Sequence, residues 1–140
     1  MQGKGEKRPE SGMHEFSTME AILKTVIKVA EEHGAEEILQ IELAVGELTF
    51  LNFEQLRFAF QALSEGTIAE GASLLLHPIK PEIYCPKCGY EGKVKYEGPE
   101  QHTPIPALML KCPKCGNWDV KIRAGRECII KSVKLRVQKR

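Results

Sequence analysis

Two cysteine pairs carry the clearest chemistry in the sequence. The motif CPKCG occurs at residues 85–89 and again at residues 112–116. Two residues between paired cysteines allow a tight turn that directs both sulfurs at one ion, and the glycine accommodates the backbone that closes the turn. Four thiolates suit a tetrahedral Zn²⁺ ion with Zn–S distances of about 2.3 Å. The sequence therefore predicts a structural zinc ribbon, whose ligands are Cys85, Cys88, Cys112 and Cys115.

Redox dithiols and disulfides are the alternative uses of these cysteines, and the duplicated motif argues against both. The chain has five cysteines, and an odd number in a non-secreted chain argues against a full disulfide framework. With four cysteine ligands, no coordination position remains for a catalytic water. The fifth cysteine, Cys128, stands near the start of a predicted strand, and we expect it to be a small buried residue.

Amphipathic patterning predicts two helices in the first half of the chain. Apolar residues recur at helical spacing from Met19 to Ala30, and Ser17 with Glu20 fits a capping box before them. A second helix starts after Asn52, a candidate N-cap, and carries apolar residues along residues 53–63. Both helices therefore have one face that must be buried.

Three segments read as strands. Residues 39–45 alternate between apolar and polar side chains, residues 73–77 form a short apolar run closed by Pro78, and residues 128–137 alternate again near the C-terminus. In the last strand Val133, Leu135 and Val137 should share one face. A sheet can bury the apolar faces of the two helices, and these three strands can form that sheet.

The character of the sequence changes between residues 81 and 125, where large aliphatic residues give way to Gly, Pro, Lys and Cys. A segment this short and polar cannot bury enough surface to fold without a metal ion. We therefore predict an α+β protein in which a small sheet with two helices is interrupted by an inserted four-cysteine zinc-ribbon domain. The predicted parts are a disordered tail at 1–12, an α/β domain at 13–80 plus 126–140, and the zinc ribbon at 81–125.

Composition excludes several functional classes. The net charge of +1 is too small to imply a polyanionic partner without a clustered patch. No apolar run approaches the roughly 20 residues that span a bilayer, and no apolar segment follows the basic residues near the start. We expect a cytoplasmic protein that has no membrane partner.

The order of four motifs resembles one known family. These motifs are MHEFS at residues 13–17, AVGEL at 44–48, EGTIAEGA at 65–72 and the two CPKCG turns. Together they resemble the hydrogenase nickel-incorporation proteins HypA/HybF, over residues 13 to about 137. The resemblance implies a nickel metallochaperone, in which a nickel-binding α/β domain carries a zinc ribbon inserted before its final strand.

The resemblance also implies cargo and partners. Members of the family help to deliver Ni²⁺ to the large subunit of [NiFe]-hydrogenase, working with the GTPase HypB, and some relatives also support urease. The expected metals are thus structural Zn²⁺ and transient Ni²⁺. A homo-oligomer is left open, because an inserted module joined by two chain crossings could exchange between chains.

The nickel ligands implied by the resemblance lie at the MHE sequence. They are the Met13 amine, the imidazole and amide nitrogen of His14, and the amide nitrogen of Glu15, a nitrogen set that suits square-planar Ni²⁺. Residues 1–12 turn the Met13 amine into a peptide nitrogen, so either they are absent from the working protein or the ligand set differs. His102 is a further candidate nickel ligand within the inserted module.

Other polar residues are assigned lesser roles. Glu47 follows the glycine of AVGEL and is a candidate to orient the nickel site, while Asn52 stands where some relatives place a carboxylate. His33 lies at the predicted end of the first helix, where its cation complements the helix dipole. We interpret His33 and His77 as structural.

A zinc ribbon that binds nucleic acid is the alternative function. It is supported by the basic residues of the ribbon, and it is opposed by Glu91, Glu97 and Glu100 and by the scarcity of aromatic residues among the lysines. The basic residues are Lys87, Lys93, Lys95, Lys111, Lys114, Lys121 and Arg123. An enzyme is not expected, since no catalytic triad, phosphate-binding glycine loop or open metal site is evident.

Overall fold

The computed structural model describes residues 13–94 and 110–137. The elements, in chain order, are helix α1 (Met13–Glu32), strand β1 (Ala35–Gly46), a 3₁₀ turn (Glu47–Thr49), helix α2 (Phe53–Ser64) and strands β2 (Ser73–Ile79), β3 (Glu82–Tyr84), β4 (Glu91–Lys93), β5 (Lys121–Ala124) and β6 (Cys128–Val137). Two three-stranded sheets form, in the orders β2-β1-β6 and β4-β3-β5. The predicted α+β class is confirmed. No described helix combines the length and hydropathy needed to cross a bilayer.

The described residues divide into two compact units. The first lies within Met1–Leu43, Leu51–Leu76 and Ile130–Arg140, and the second within Ala44–Phe50 and His77–Ile129. The second unit thus contains the AVGEL segment in addition to the cysteine turns. The predicted domain bounds of 81–125 for the ribbon stay a prediction, and the predicted tail at 1–12 lies outside the described residues.

The core of the first unit follows the predicted apolar stripes. Helices α1 and α2 pack against each other, and the apolar spacing that predicted them matches the side chains that are buried. The buried residues include Met19, Leu23, Val26 and Ala30 of α1, Ile38, Ile41 and Leu43 of β1, and Leu56, Ala59 and Phe60 of α2. Each large aliphatic side chain buried here contributes about 1.5–3 kcal/mol relative to exposure.

Helix α1 begins earlier than predicted. It starts at Met13, so Ser17 lies inside the helix and its hydroxyl donates to the His14 carbonyl at 3.2 Å. The predicted capping box at Ser17 is therefore wrong. The buried apolar residues of α1 begin at Met19, so the apolar pattern does not extend to the first turn. The buried side chain of that turn is Glu15, which is polar. The helix ends before Gly34, which has the expected positive φ of 71°.

Helix α2 begins at the predicted cap. The Asn52 side-chain oxygen accepts the Gln55 N–H at 2.9 Å, so Asn52 is the N-cap. Strand β2 continues through Pro78 to Ile79, and the prediction that Pro78 ends the strand is wrong. Because β2 is an edge strand, the N–H that proline lacks need not pair with a neighbour.

Strand β6 pairs with β1 at the other edge of this sheet. Ser132 donates to Glu42, and Arg136 forms an ion pair with Glu37. These contacts run in opposite order along the two strands, which makes the pair antiparallel. Of the three apolar residues predicted to share a face, Val133 and Leu135 are half-buried, whereas Val137 is 49% exposed at the end of the strand.

The second unit has its own sheet and a small core. Strand β3 pairs antiparallel with β4 and with β5. The 3₁₀ turn supplies Leu48 to a buried cluster that also contains two of the cysteines. The members of the cluster are Leu48, Ile83, Cys85, Leu110 and Cys112. Among the described residues, three aliphatic side chains are buried here, and Val94, Val120 and Ile122 pack against them partly buried. A core of this size gives limited stability from apolar burial alone.

A close backbone crossing joins the AVGEL segment to the loop before β6. Gly46 N–H donates to the Glu127 carbonyl and Leu48 N–H to the Gly125 carbonyl, each at 2.7 Å. A Cβ atom at Gly46 would lie 2.1 Å from the Gly125 carbonyl oxygen. Only glycine therefore permits these two backbone hydrogen bonds at position 46.

We expect Gly46→Ala to destabilise the protein by about 2–3 kcal/mol, because the added methyl must displace backbone atoms. Gly34→Ala is the control: nothing lies within 4 Å of its Cβ position, so only the positive φ opposes the substitution, at a cost of about 1 kcal/mol. Urea unfolding followed by far-UV circular dichroism measures both. Equal losses in the two variants would contradict the steric argument.

Candidate metal sites

The four predicted zinc ligands converge in the second unit. The sulfur atoms of Cys85, Cys88, Cys112 and Cys115 all lie within 4.8 Å of one another. The Cys85–Cys115 and Cys88–Cys112 sulfur pairs are 3.6 and 3.5 Å apart. A tetrahedral ion with Zn–S bonds of about 2.3 Å requires sulfur separations of about 3.8 Å, whereas a disulfide requires about 2.05 Å. The geometry therefore fits a tetrahedral metal centre rather than a disulfide pair.

The two CPKCG motifs fold into turns with the same hydrogen bonds. Gly89 N–H donates to the Cys85 carbonyl at 2.8 Å, and Gly116 N–H donates to the Cys112 carbonyl at 2.9 Å. The N–H of the first cysteine in each turn donates to a carbonyl five residues later, on Tyr90 and Asn117 respectively. This duplication is what the repeated sequence predicted: two equivalent turns, each contributing two sulfurs.

The electrostatics of the cluster favour a thiolate at Cys85 and oppose one at Cys88. Burial raises the pKa of Cys85, but N–H groups of Cys88 and Lys87 and the Asn117 amide outweigh it and lower the pKa to about 6. The Tyr90 N–H lowers the pKa of Cys88, but burial and the neighbouring sulfurs outweigh it and raise the pKa to about 11. The Cys85 thiol thus ionises easily, whereas the Cys88 thiol resists ionisation. A divalent cation resolves this conflict, since it stabilises all four thiolates together.

Polar groups around the sulfurs complete the site. The N–H groups of Lys114 and Cys115 point at the Cys112 sulfur, at 3.3 and 3.4 Å. The Asn117 side-chain nitrogen lies 3.6 Å from the Cys85 sulfur, so it bridges the two turns. Asn117 was missed from the sequence; its place directly after the second CPKCG is the available signal. The residues present fit a closed four-sulfur metal centre that holds the fold of this unit.

The fifth cysteine does not belong to this cluster. Cys128 is exposed at the start of β6, so the expectation that it is buried is wrong. An edge strand has fewer neighbours to cover its side chains than the alternating pattern suggested. Even so, partial burial raises the pKa of the Cys128 thiol, which keeps it protonated near neutral pH.

The residues implied for nickel begin helix α1 in the first unit. His14 is exposed in the first turn. Glu15 is only 4% exposed, and its carboxylate accepts the Asn52 N–H at 2.8 Å. In a capping box, the side chain of Gln55, the third residue of α2, would accept a hydrogen bond from the Asn52 N–H. Here the Glu15 carboxylate of α1 accepts it instead. Met13 supplies the first backbone position of α1.

The remaining candidates are separate from this turn. His33 lies at the far end of α1, where its Nδ1 atom is 2.9 Å from the Val29 carbonyl, in agreement with a structural role. Glu47 forms an ion pair with Lys80 at 2.9 Å in the second unit, and its role in orienting nickel stays a prediction. His102 lies outside the described residues.

The fold and the cysteine cluster define a small α+β protein with a four-cysteine metal centre, and solved structures share this architecture. A solution structure of the Ni metallochaperone HypA from Helicobacter pylori matches with a TM-score of 0.61 at 19% identity, covering 89% of this chain and 98% of that one. A second solution structure, of a HypA protein, matches with a TM-score of 0.64 at 21% identity, covering 90% and 98%. At these identities the likeness establishes the fold.

Sequence comparison establishes the family. The chain belongs to the HypA family, whose model, described as hydrogenase/urease nickel incorporation, metallochaperone, matches residues 13–135. The hydrogenase maturation factor HypA of Methanothermobacter thermautotrophicus is 45% identical over 123 residues, covering 88% of this chain and 97% of that protein. The Methanopyrus kandleri factor of the same name is 41% identical over 134 residues, covering 89% and 94%. The predicted family is confirmed.

We expect Cys112→Ser to abolish the tightly bound metal ion and unfold the second unit, because Cys112 is buried in both the cluster and the small core. Cys128→Ser, a matched change at an exposed cysteine, should retain one metal ion per chain. Elemental analysis and near-ultraviolet circular dichroism measure the two effects. Full metal content in the Cys112→Ser protein would show that the cluster is not the metal site.

Proposed function

We propose that this protein binds Ni²⁺ at the start of α1 and delivers it to [NiFe]-hydrogenase during maturation, while Zn²⁺ holds the four-cysteine centre. The observation that carries the proposal is the first turn of α1: an exposed His14 lies beside a buried, hydrogen-bonded Glu15. The imidazole is open to an ion and to a receiving protein, while its backbone is fixed. Family membership supports nickel as the metal.

The proposed ligand set uses backbone nitrogens as well as the imidazole. In a chain that begins at Met13, it consists of the Met13 amine, the His14 imidazole and amide nitrogen, and the amide nitrogen of Glu15. Amides in the first turn of a helix have no carbonyl partner four residues earlier, so losing their protons breaks no helical hydrogen bond. The positive end of the helix dipole disfavours a bound cation by about 0.3–1 kcal/mol. The negative charge on the deprotonated amide nitrogens reverses that effect. Four nitrogens then form a square-planar field suited to Ni²⁺.

The two metals are kept apart by ligand chemistry. Thiolates in a closed tetrahedral cage favour Zn²⁺, and nitrogen donors in a planar field favour Ni²⁺. The zinc ion would hold the two cysteine turns together and supply no chemistry to the cargo. The proteins named in the comparison are hydrogenase maturation factors, which supports delivery rather than catalysis as the task of this chain.

The proposed partners are those implied by the family. A HypB-type GTPase assists, and the [NiFe]-hydrogenase large subunit receives the ion. A cytoplasmic location is part of the same proposal, and it is supported by the cysteines, which are free thiols in the described structure. The nucleic-acid alternative is not favoured, since ribbon cations such as Lys93 and Arg123 are paired with Glu82 and Glu91.

We expect His14→Ala to lose stoichiometric Ni²⁺ binding while keeping its zinc content and fold, because the residue is exposed. His33→Ala is the matched control, since it removes an exposed histidine from the other end of the same helix. Isothermal titration with Ni²⁺ and elemental analysis for zinc provide the readouts. Unchanged nickel affinity in the His14→Ala protein would overturn the proposed site.

A chain that begins at Met13 should bind Ni²⁺ more tightly than the full chain, because its Met13 nitrogen is an amine rather than a peptide nitrogen. The complex should be diamagnetic, as expected for square-planar Ni²⁺. Titration and nickel absorption spectra of the two forms test this. Equal affinities with identical spectra would remove the amine from the ligand set.

A further inference from the structure

The four cysteines of the cluster are not equally accessible to solvent. Cys85 and Cys112, the first cysteine of each turn, are 0% and 1% exposed. Cys88 and Cys115 hold the equivalent second position in the two turns, yet Cys88 is half-buried whereas Cys115 is exposed. A small reagent dissolved in water therefore has the best access to Cys115.

Hydrogen bonds to the sulfurs differ in the same direction. The N–H groups of Lys114 and Cys115 donate to the Cys112 sulfur at 3.3 and 3.4 Å, and the Asn117 amide lies 3.6 Å from the Cys85 sulfur. Within residues 13–94 and 110–137, no N–H group donates to the Cys115 sulfur, whose recorded contact is with another sulfur. N–H donors stabilise a thiolate and lower its nucleophilicity. Cys115 thus combines exposure with the least quenched sulfur.

The exposed sulfur also has a second cysteine in contact with it. The Cys115 and Cys85 sulfurs lie 3.6 Å apart and belong to different turns. A disulfide has an S–S distance of about 2.05 Å, so the two sulfurs would approach by about 1.5 Å to form one. An accessible thiolate beside a resolving cysteine is the arrangement typical of redox-sensitive cysteines.

We propose that Cys115 is the site at which hydroperoxides oxidise the four-cysteine centre, and that Cys85 completes the reaction by forming a disulfide with it. The Cys115 thiolate attacks one oxygen of hydrogen peroxide, so that an S–O bond forms, the O–O bond breaks and hydroxide leaves. The Cys85 thiolate then attacks the resulting sulfenic acid at sulfur, an S–S bond forms, and the S–O bond breaks to release a second hydroxide. The two thiolates together lose two electrons, and these reduce the peroxide.

The disulfide would remove the metal ion from the centre. Cys88 and Cys112 would remain as thiolates, and two ligands do not complete the tetrahedron that a structural Zn²⁺ ion requires. Because the aliphatic core of the second unit is small, loss of the ion should unfold that unit. A dithiol reductant together with Zn²⁺ would reverse the change. The inference rests on the zinc assignment of the proposed function and is independent of the nickel ligands.

The test uses the full, zinc-loaded chain carrying Cys128→Ser, which removes the exposed thiol outside the cluster. With hydrogen peroxide below one equivalent and dimedone present, peptide mass spectrometry should find the dimedone adduct of a sulfenic acid at Cys115. Without dimedone, each equivalent of peroxide should release one zinc ion, measured with a chromogenic chelator, and should yield the Cys85–Cys115 disulfide. Near-ultraviolet circular dichroism should lose its signal in parallel and regain it with dithiothreitol and Zn²⁺.

Two histidine variants in the same background provide a matched comparison. Cys115→His and Cys88→His each leave three cysteines and one imidazole, a ligand set that zinc also accepts. Cys88 is half-buried, and the Tyr90 N–H faces its sulfur. Because exposure and thiolate character decide susceptibility, Cys115→His should slow peroxide-driven zinc release at least about tenfold, and Cys88→His should stay within about twofold of the reference chain. If either variant lost its zinc, the adduct trapped on the reference chain would decide the question.

Several results would overturn the inference while leaving nickel delivery intact. These are a first adduct on Cys85, Cys88 or Cys112, a first disulfide that excludes Cys115 or joins it to Cys112, or equal rates of zinc release in the two histidine variants. Failure of the reference chain to bind zinc would instead remove the zinc centre of the proposed function, and the inference with it. Nickel titration of the zinc-loaded Cys115→His protein, expected to be unchanged, keeps the nickel site separate from either failure.

Discussion

Four sulfur atoms within 4.8 Å of one another are the constraint on which the second unit depends. Without a cation, ionising one thiol raises the cost of ionising the next, as the opposite pKa shifts of Cys85 and Cys88 show. The aliphatic core beside them is small. Binding of a metal ion at such a site contributes directly to the free energy of folding, because the ligands converge only when the turns are formed. Removal of the metal ion is therefore expected to unfold this unit.

The same core ties the AVGEL segment to the metal centre. Leu48 packs with Cys85 and Cys112, and the close approach of Gly46 to Gly125 lets the backbone hydrogen bonds beside it form. A few residues later, Asn52 caps α2 and donates its N–H to Glu15. Leu48 thus packs against two of the clustered cysteines, whereas Asn52 is hydrogen-bonded to the first turn of α1, which carries the proposed nickel ligand His14.

The parts of this architecture that depend on local spacing could be predicted from the sequence. The repeated CPKCG specified its turns, and apolar periodicity located α1, α2 and three strands of the first sheet. Features set by distant partners could not be predicted in this way. The first turn of α1 is joined to Asn52 by a hydrogen bond from Glu15, 37 residues away in sequence, and Leu48 is buried against cysteines far along the chain. The exposure of Cys128 accords with β6 being an edge strand.

A site that delivers a metal ion must also release it, and the proposed nickel ligands contain the means to do so. Two of them are amide nitrogens that lose protons to bind the ion. When those protons return, the amides become ordinary first-turn N–H groups, and the positive end of the helix dipole again disfavours a cation. The buried Glu15 carboxylate holds the turn in place throughout. Release of the proposed nickel ion by protonation therefore needs no unfolding of α1, whereas the fold of the second unit depends on the four sulfur ligands staying together.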